Sequence, residues 1–208
     1  MQLTPDQLAE AGYEPSLELS HKELAPFVQA QLRKRTFLTG LYLSLNLGLL
    51  AFMVGLASWQ TQKGLISWHT IFTHFSYGLA LGIGLLFPHE ALHAIAYKLV
   101  GARQVSFGGQ WRQFIFYALA NRFVANQREF LLVAFTPFSV LSAGLAIAFL
   151  IATLPTSWSY LGALFVHTAL CSGDFALAGY MRSFPHKADV LTYDDTAAQT
   201  TYFFTRPA

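Results

Sequence analysis

Cysteine is nearly missing from this sequence: Cys171 is the only one among 208 residues. A single thiol excludes an internal disulfide framework and a four-cysteine metal site, so any metal must be held by histidine and carboxylate. Charge is scarce too. Only 12% of the residues are charged and 54% are hydrophobic, whereas an ordinary soluble domain carries about 25% charged residues. That is the composition of a membrane protein. The formal net charge is +2, and no block of basic residues is interleaved with aromatics, which excludes nucleic acid as a partner. No cleavable leader is apparent, since the first apolar run begins near Phe37, after a polar stretch containing Asp6, Glu10, Glu14, Glu18 and Glu23. The first apolar run is therefore expected to act as an internal targeting signal. No internal repeat is visible, which argues against an alternating-access transporter.

What the sequence does have is long hydrophobic runs. Four of them, at about 37–59, 68–100, 130–154 and 158–181, meet the length of about 20 residues that a spanning helix needs. Arg33, Lys34 and Arg35 precede the first; Lys98, Arg103, Arg112, Arg122 and Arg128 lie beside or between the second and third; Arg182 and Lys187 follow the fourth. Lys63 alone falls on the other side, so the excess of basic residues places both termini and the 101–129 segment in the cytoplasm. Trp59, Trp68 and Trp158 fall at the opposite boundary, where an aromatic belt is expected. The fold class read from this pattern is an all-α membrane protein of four transmembrane helices.

Two flanking regions add detail. Thr4-Pro5-Asp6-Gln7 and Ser20-His21-Lys22-Glu23 each carry helix-start signals, and Gly12 is a stop, so the N-terminal segment is expected to be helical in two pieces. Between the second and third spans, VSFGGQWRQFIFYA has a Gly-Gly pair between β-branched and aromatic residues. It reads as a small cytoplasmic β-hairpin turning at Gly108-Gly109, or as an interfacial helix.

The second span ends in LLFPHEALHAIAYKL, and His89-Glu90-Ala91-Leu92-His93 matches HExxH. In a helix, residues i and i+4 project from one face, so the two imidazoles can hold one Zn²⁺ while Glu90 reaches a water bound to it. Ionisable groups in a membrane segment are costly unless paired or coordinated, which favours a metal site over a polar cluster. Pro88 lacks a backbone donor and disturbs the carbonyl of Gly84, so a kink is expected where the motif begins. A catalytic zinc usually has three protein ligands. Counting about 1.5 Å per residue inward from Trp68 and Trp158 puts His89 and Asp174 at comparable depth toward the cytoplasmic side. Asp174, the only acidic residue of the fourth span, is the expected third ligand, with a partnership to Arg112 or Arg182 as the alternative. His167 lies two turns before Asp174 on nearly the same face and is a candidate to orient substrate or stabilise an oxyanion. His69 and His74 are expected at the interface, Thr136-Pro137 predicts a break in the third span, and Cys171 reads as an apolar buried thiol.

HEALH on the second of four spans, the Gly-rich aromatic connection, AFTPF in the third span and SGD in the fourth together resemble a known family over approximately residues 70–195. It is the family of bacterial multi-pass membrane proteins described as putative zincin peptidases, similar in layout to the site-2 protease type of intramembrane metalloprotease. The resemblance implies that His89, His93 and Asp174 are zinc ligands and that Glu90 is the catalytic residue. The site-2 type usually carries its ligand Asp in an Asn-Pro-Asp-Gly or Leu-Asp-Gly setting, whereas Asp174 stands between Ser172-Gly173 and Phe175. On this reading residues 1–36 are a cytoplasmic helical segment, 37–187 a four-helix membrane metallopeptidase domain and 188–208 a cytoplasmic tail. The expected partners are a peptide or membrane-protein substrate and the lipid bilayer of a bacterial inner membrane. The rival reading is a scaffold in which a structural metal or polar cluster only stabilises the bundle; a di-iron oxygenase would need more ligands than the bundle offers.

Overall fold

A computed structural model describes residues 3–110, 115–184 and 189–206. In chain order the elements are β1 (Glu14–Ser20), α1 (Leu24–Leu32), α2 (Phe37–Gln62), α3 (Trp68–Gly84), α4 (Leu86–Leu99), β2 (Ser106–Gln110), β3 (Ile115–Leu119), β4 (Ala125–Asn126), α5 (Gln127–Ile151), α6 (Ser157–Leu170), α7 (Ser172–Met181), β5 (Asp189–Asp195) and β6 (Thr200–Arg206). Short 3₁₀ turns, Pro5–Gln7 and His21–Glu23, precede β1 and α1. Four helices are long and apolar enough to cross a membrane: Phe37–Gln62, Trp68–Leu99, Gln127–Ile151 and Ser157–Met181.

Two of these spans are interrupted and two are not. The second breaks at Leu85, where the backbone turns to φ −70° and ψ −8°. Pro88 has no N–H to give the Gly84 carbonyl, and the helical ladder resumes with His89 N–H donating to Leu85 O at 2.9 Å. The fourth breaks at Cys171 (φ −69°, ψ 8°), just before Asp174 enters the first turn of α7. The break expected at Thr136-Pro137 is not there: α5 runs unbroken through Pro137. The Thr136 hydroxyl donates back to Leu132 O at 2.7 Å, within the same stretch of helix.

The chain divides into two compact units. One comprises Gly40–His89 and Pro137–Ser172. Here α3 and α6 approach closely through glycines. A Cβ on Gly78 would stand 2.3 Å from the Ser159 carbonyl oxygen, one on Gly82 2.7 Å from Val166 Cβ, and one on Gly162 2.8 Å from the Phe75 carbonyl oxygen. Without a hydrophobic force between helices in lipid, such small-residue contacts are what let backbones pack. Met53, Ala57, Ile71, Trp158 and Leu161 form the core of this unit. Trp158 therefore differs from Trp59 and Trp68, which are exposed: it is buried, and its indole N–H donates to Gln60 Oε1 at 2.9 Å. His74 is likewise tied in, with Nδ1 3.2 Å from Ser159 Oγ.

The other unit comprises Met1–Thr39, Glu90–Thr136 and Gly173–Ala208, and it corrects the all-α expectation. A four-stranded antiparallel sheet has the order β1-β6-β5-β4, and β2 and β3 form a separate two-stranded sheet. The first expected N-terminal helix is only a 3₁₀ turn, Pro5–Gln7, followed by irregular turns as far as Gly12 at φ +80°. Glu14–Ser20, which leads into the second, is a strand. Leu17 and Leu19 alternate with Glu18 and Ser20, the two-residue period of a half-buried strand, and β6 supplies the partner edge. The β2–β3 hairpin pairs Ser106 with Leu119 and Gln110 with Ile115. Its turn is not at Gly108-Gly109, which lie inside β2; Gly108 is small because a Cβ there would meet Tyr117 Cε2 at 2.4 Å. The remaining connection, with Arg112, and the segment with Lys187 lie outside the described residues.

Candidate metal centre

The HExxH turn sits on α4, immediately after the break at Leu85. A helix places i and i+4 side chains on one face, so His89 and His93 stand one above the other, and both are buried. One ligand atom from each of His89, Glu90 and His93 lies within 4.8 Å of the other two, a spacing that a single ion can bridge.

His93 is oriented by two contacts in the unit that also holds the sheet. Its Nδ1 lies 3.0 Å from the carbonyl oxygen of Val133 on α5. A carbonyl only accepts, so Nδ1 carries the hydrogen and Nε2 presents its lone pair. The reason this carbonyl serves a side chain lies four residues on. Pro137, fully buried, has no N–H to return to Val133 O, so the helix itself leaves that acceptor to the imidazole. Pro137 thus has a role that the expected helix break did not anticipate.

On the other side of the ring, Nε2 lies 3.2 Å from Asp174 Oδ1. A lone pair facing a carboxylate oxygen at that range requires a shared cation, a proton or a metal ion. Two ligands at about 2.0–2.2 Å from a tetrahedral zinc stand about 3.4 Å apart, so the pair is spaced as zinc ligands are. The backbone carbonyl behind His93 is the outer partner that metal-bound imidazoles usually have. His93 and Asp174 are therefore spaced as a nitrogen and an oxygen donor to one zinc ion could be. The partner that faces Asp174 here is His93, where the sequence had offered an arginine as the alternative.

His167 and Cys171 belong to the unit formed by Gly40–His89 and Pro137–Ser172, and there they meet His89. The rings of His89 and His167 are edge to face, with centroids 5.5 Å apart. Cys171 Sγ lies 3.8 Å from His167 Nε2, and one ligand atom from each of the three lies within 4.8 Å of the other two. Sequence reasoning set Cys171 aside as a buried thiol and tied His167 to Asp174. The signal available was the i, i+4 spacing of His167 and Cys171, the same geometry that makes HExxH a ligand pair.

A family model described as "Putative zincin peptidase" matches residues 82–188, a little more than half of the chain. The matched region contains His89, Glu90, His93, His167, Cys171 and Asp174. No curated protein and no solved structure matches the chain.

Proposed function

Since the chain belongs to the family described as "Putative zincin peptidase", we propose that it is a zinc-dependent, membrane-embedded metalloprotease, similar in layout to the site-2 type. In this reading it hydrolyses peptide bonds of a peptide or membrane-protein substrate near the cytoplasmic side of a bacterial inner membrane. The observation that carries the reading is the meeting of the HExxH helix with a carboxylate from another span, His93 Nε2 facing Asp174 Oδ1 at 3.2 Å. His89, His93 and Asp174 would hold the zinc, which when bound would supply the Lewis acid that lowers the pKa of a water towards about 7 and polarises the scissile carbonyl. Glu90, next to His89 on α4, takes the proton of the attacking water and returns it to the leaving nitrogen. The Val133 carbonyl engages Nδ1 of His93, so that Nε2 is the ring nitrogen turned to Asp174 and to the ion. Four helices long and apolar enough to cross a membrane supply the setting.

The test is Glu90→Gln in the purified full chain. This variant should keep its metal and lose hydrolysis about 100- to 10,000-fold, the range for removing a general acid–base group. His89→Ala should lose the metal itself. A Glu90→Gln protein that retains full function in the cell would instead point to a structural metal in a scaffold.

A further inference from the structure

Cys171 is the only cysteine of the chain, fully buried, and it lies where the fourth span breaks. One helical turn earlier on α6 is His167, also buried, and the Cys171 amide still donates to His167 O at 3.2 Å, so the two side chains share a face. His89, buried at the start of α4, completes the group with its ring edge to face against His167. A tetrahedral ion with metal–sulfur and metal–nitrogen bonds of about 2.3 and 2.0–2.1 Å sets sulfur and nitrogen about 3.6 Å apart. Cys171 Sγ and His167 Nε2 are 3.8 Å apart.

We propose that His89, His167 and Cys171 form a second metal-ligating group, of two nitrogens and one sulfur, that takes a thiophilic divalent cation and shares His89 with the HExxH turn. The thiolate donor makes this group softer than a set of two imidazoles and a carboxylate, so Cd²⁺ and Co²⁺ are suitable probes. On binding, the Cys171 thiol gives up its proton as the sulfur–metal bond forms, releasing one proton for each ion bound. Because each set draws on His89, an ion in one competes with an ion in the other. The proposal touches the peptidase reading only through His89; Cys171 and His167 have no part in the hydrolytic steps above.

A single cysteine makes the test direct, because any sulfur-to-metal charge-transfer absorption must come from Cys171. The full chain, purified in detergent and stripped of metal, is titrated with Cd²⁺. The wild type should develop the band, Cys171→Ser and His167→Gln should lose it, and Asp174→Ala should keep it. Cadmium NMR of the wild type should report one sulfur with nitrogen donors, a readout that holds even if His167→Gln does not fold. No band in the wild type, an unchanged titration in His167→Gln, or a cadmium signal without sulfur overturns the proposal. The peptidase reading fails separately, by unchanged hydrolysis in Glu90→Gln, since Glu90 has no part in the second group.

Discussion

At the scale of single residues, the proline in α5 matters more than its effect on helix shape suggests. Pro137 leaves the Val133 carbonyl to His93 Nδ1, and that hydrogen bond sets which ring nitrogen faces Asp174. Replacing Pro137 by Ala restores a backbone N–H that competes for the same oxygen. A carbonyl has two lone pairs, so the competition is partial, and the expected loss of zinc affinity is about tenfold, the lower end for outer-sphere partners. Zinc competition with a chelator measures it, and an affinity equal to wild type would remove Pro137 from the site. A second residue acts through charge. Asp194, buried in β5, has its carboxyl pushed up to about 6 by desolvation, only partly offset by the Thr201 hydroxyl that donates to Oδ1 at 2.6 Å. The folded state therefore holds the Asp194 proton more tightly than the unfolded chain does, and its contribution to stability is lost as pH rises through about 6. Ionisation there costs on the order of 3 kcal/mol. His21, whose Nε2 is 3.3 Å from Thr201 Oγ1, is pushed down by burial, so its contribution runs the other way, lost as pH falls below its ordinary value. Comparing Asp194→Asn with wild type isolates the carboxyl. The variant should gain thermal stability over wild type between pH 4 and pH 7, and a difference independent of pH would contradict the buried-carboxyl account.

At the scale of elements, the α3–α6 pair rests on glycines that leave no room for a methyl group. Gly78→Ala would put Cβ 2.3 Å from a backbone oxygen, which no side-chain rotamer relieves. Overpacking of this kind costs about 1–3 kcal/mol, so the variant should melt lower in detergent, while Gly55→Ala in α2, with nothing within 4 Å, should not. Equal melting of the two variants would show that this contact yields. The elements also separate what the sequence made legible from what it did not. Spans and the HExxH turn depend on local pattern, hydropathy over about 20 residues and an i, i+4 repeat, so they are readable directly. The β1 strand is not. Leu17 and Leu19 give only a short alternation, and their partners Phe203 and Thr201 lie at the far end of the chain. The turn signal of Gly108-Gly109 misled because Gly108 makes room for the Tyr117 ring rather than for a reversal of the chain. The grouping of His89 with His167 and Cys171 joins residues from separate spans, so spacing along the chain could supply the His167–Cys171 half and not the other.

At the scale of the whole molecule, the sheet constrains how the chain crosses a membrane. Strands that exchange backbone hydrogen bonds share one aqueous compartment, because an unpaired strand cannot lie across lipid. β1 pairs with β6, and β4 pairs with β5, so residues 14–20, 125–126 and 189–206 all lie on the same side. In a membrane the number of crossings between 20 and 125, and again between 126 and 189, would therefore be even, as the pairs Phe37–Gln62 with Trp68–Leu99 and Gln127–Ile151 with Ser157–Met181 can provide. This argument is independent of charge. Charge then predicts the side: Arg33, Lys34, Arg35, Arg103, Arg122, Arg128 and Arg182 lie in the segments that lead to or from the strands, and Lys63 lies between the first two spans, so the positive-inside rule expects the sheet in the cytoplasm. The buried Cys171 leaves the wild type silent to a membrane-impermeant maleimide, so single introduced cysteines report topology. Gln62→Cys, at the exposed end of α2, should label in intact cells, whereas Glu18→Cys and Ala197→Cys, exposed beside the sheet, should label only after lysis. The reverse pattern would turn the molecule over and move the proposed peptidase site to the outer side, while different behaviour at Glu18 and Ala197 would separate β1 from β6 and with them the even number of crossings.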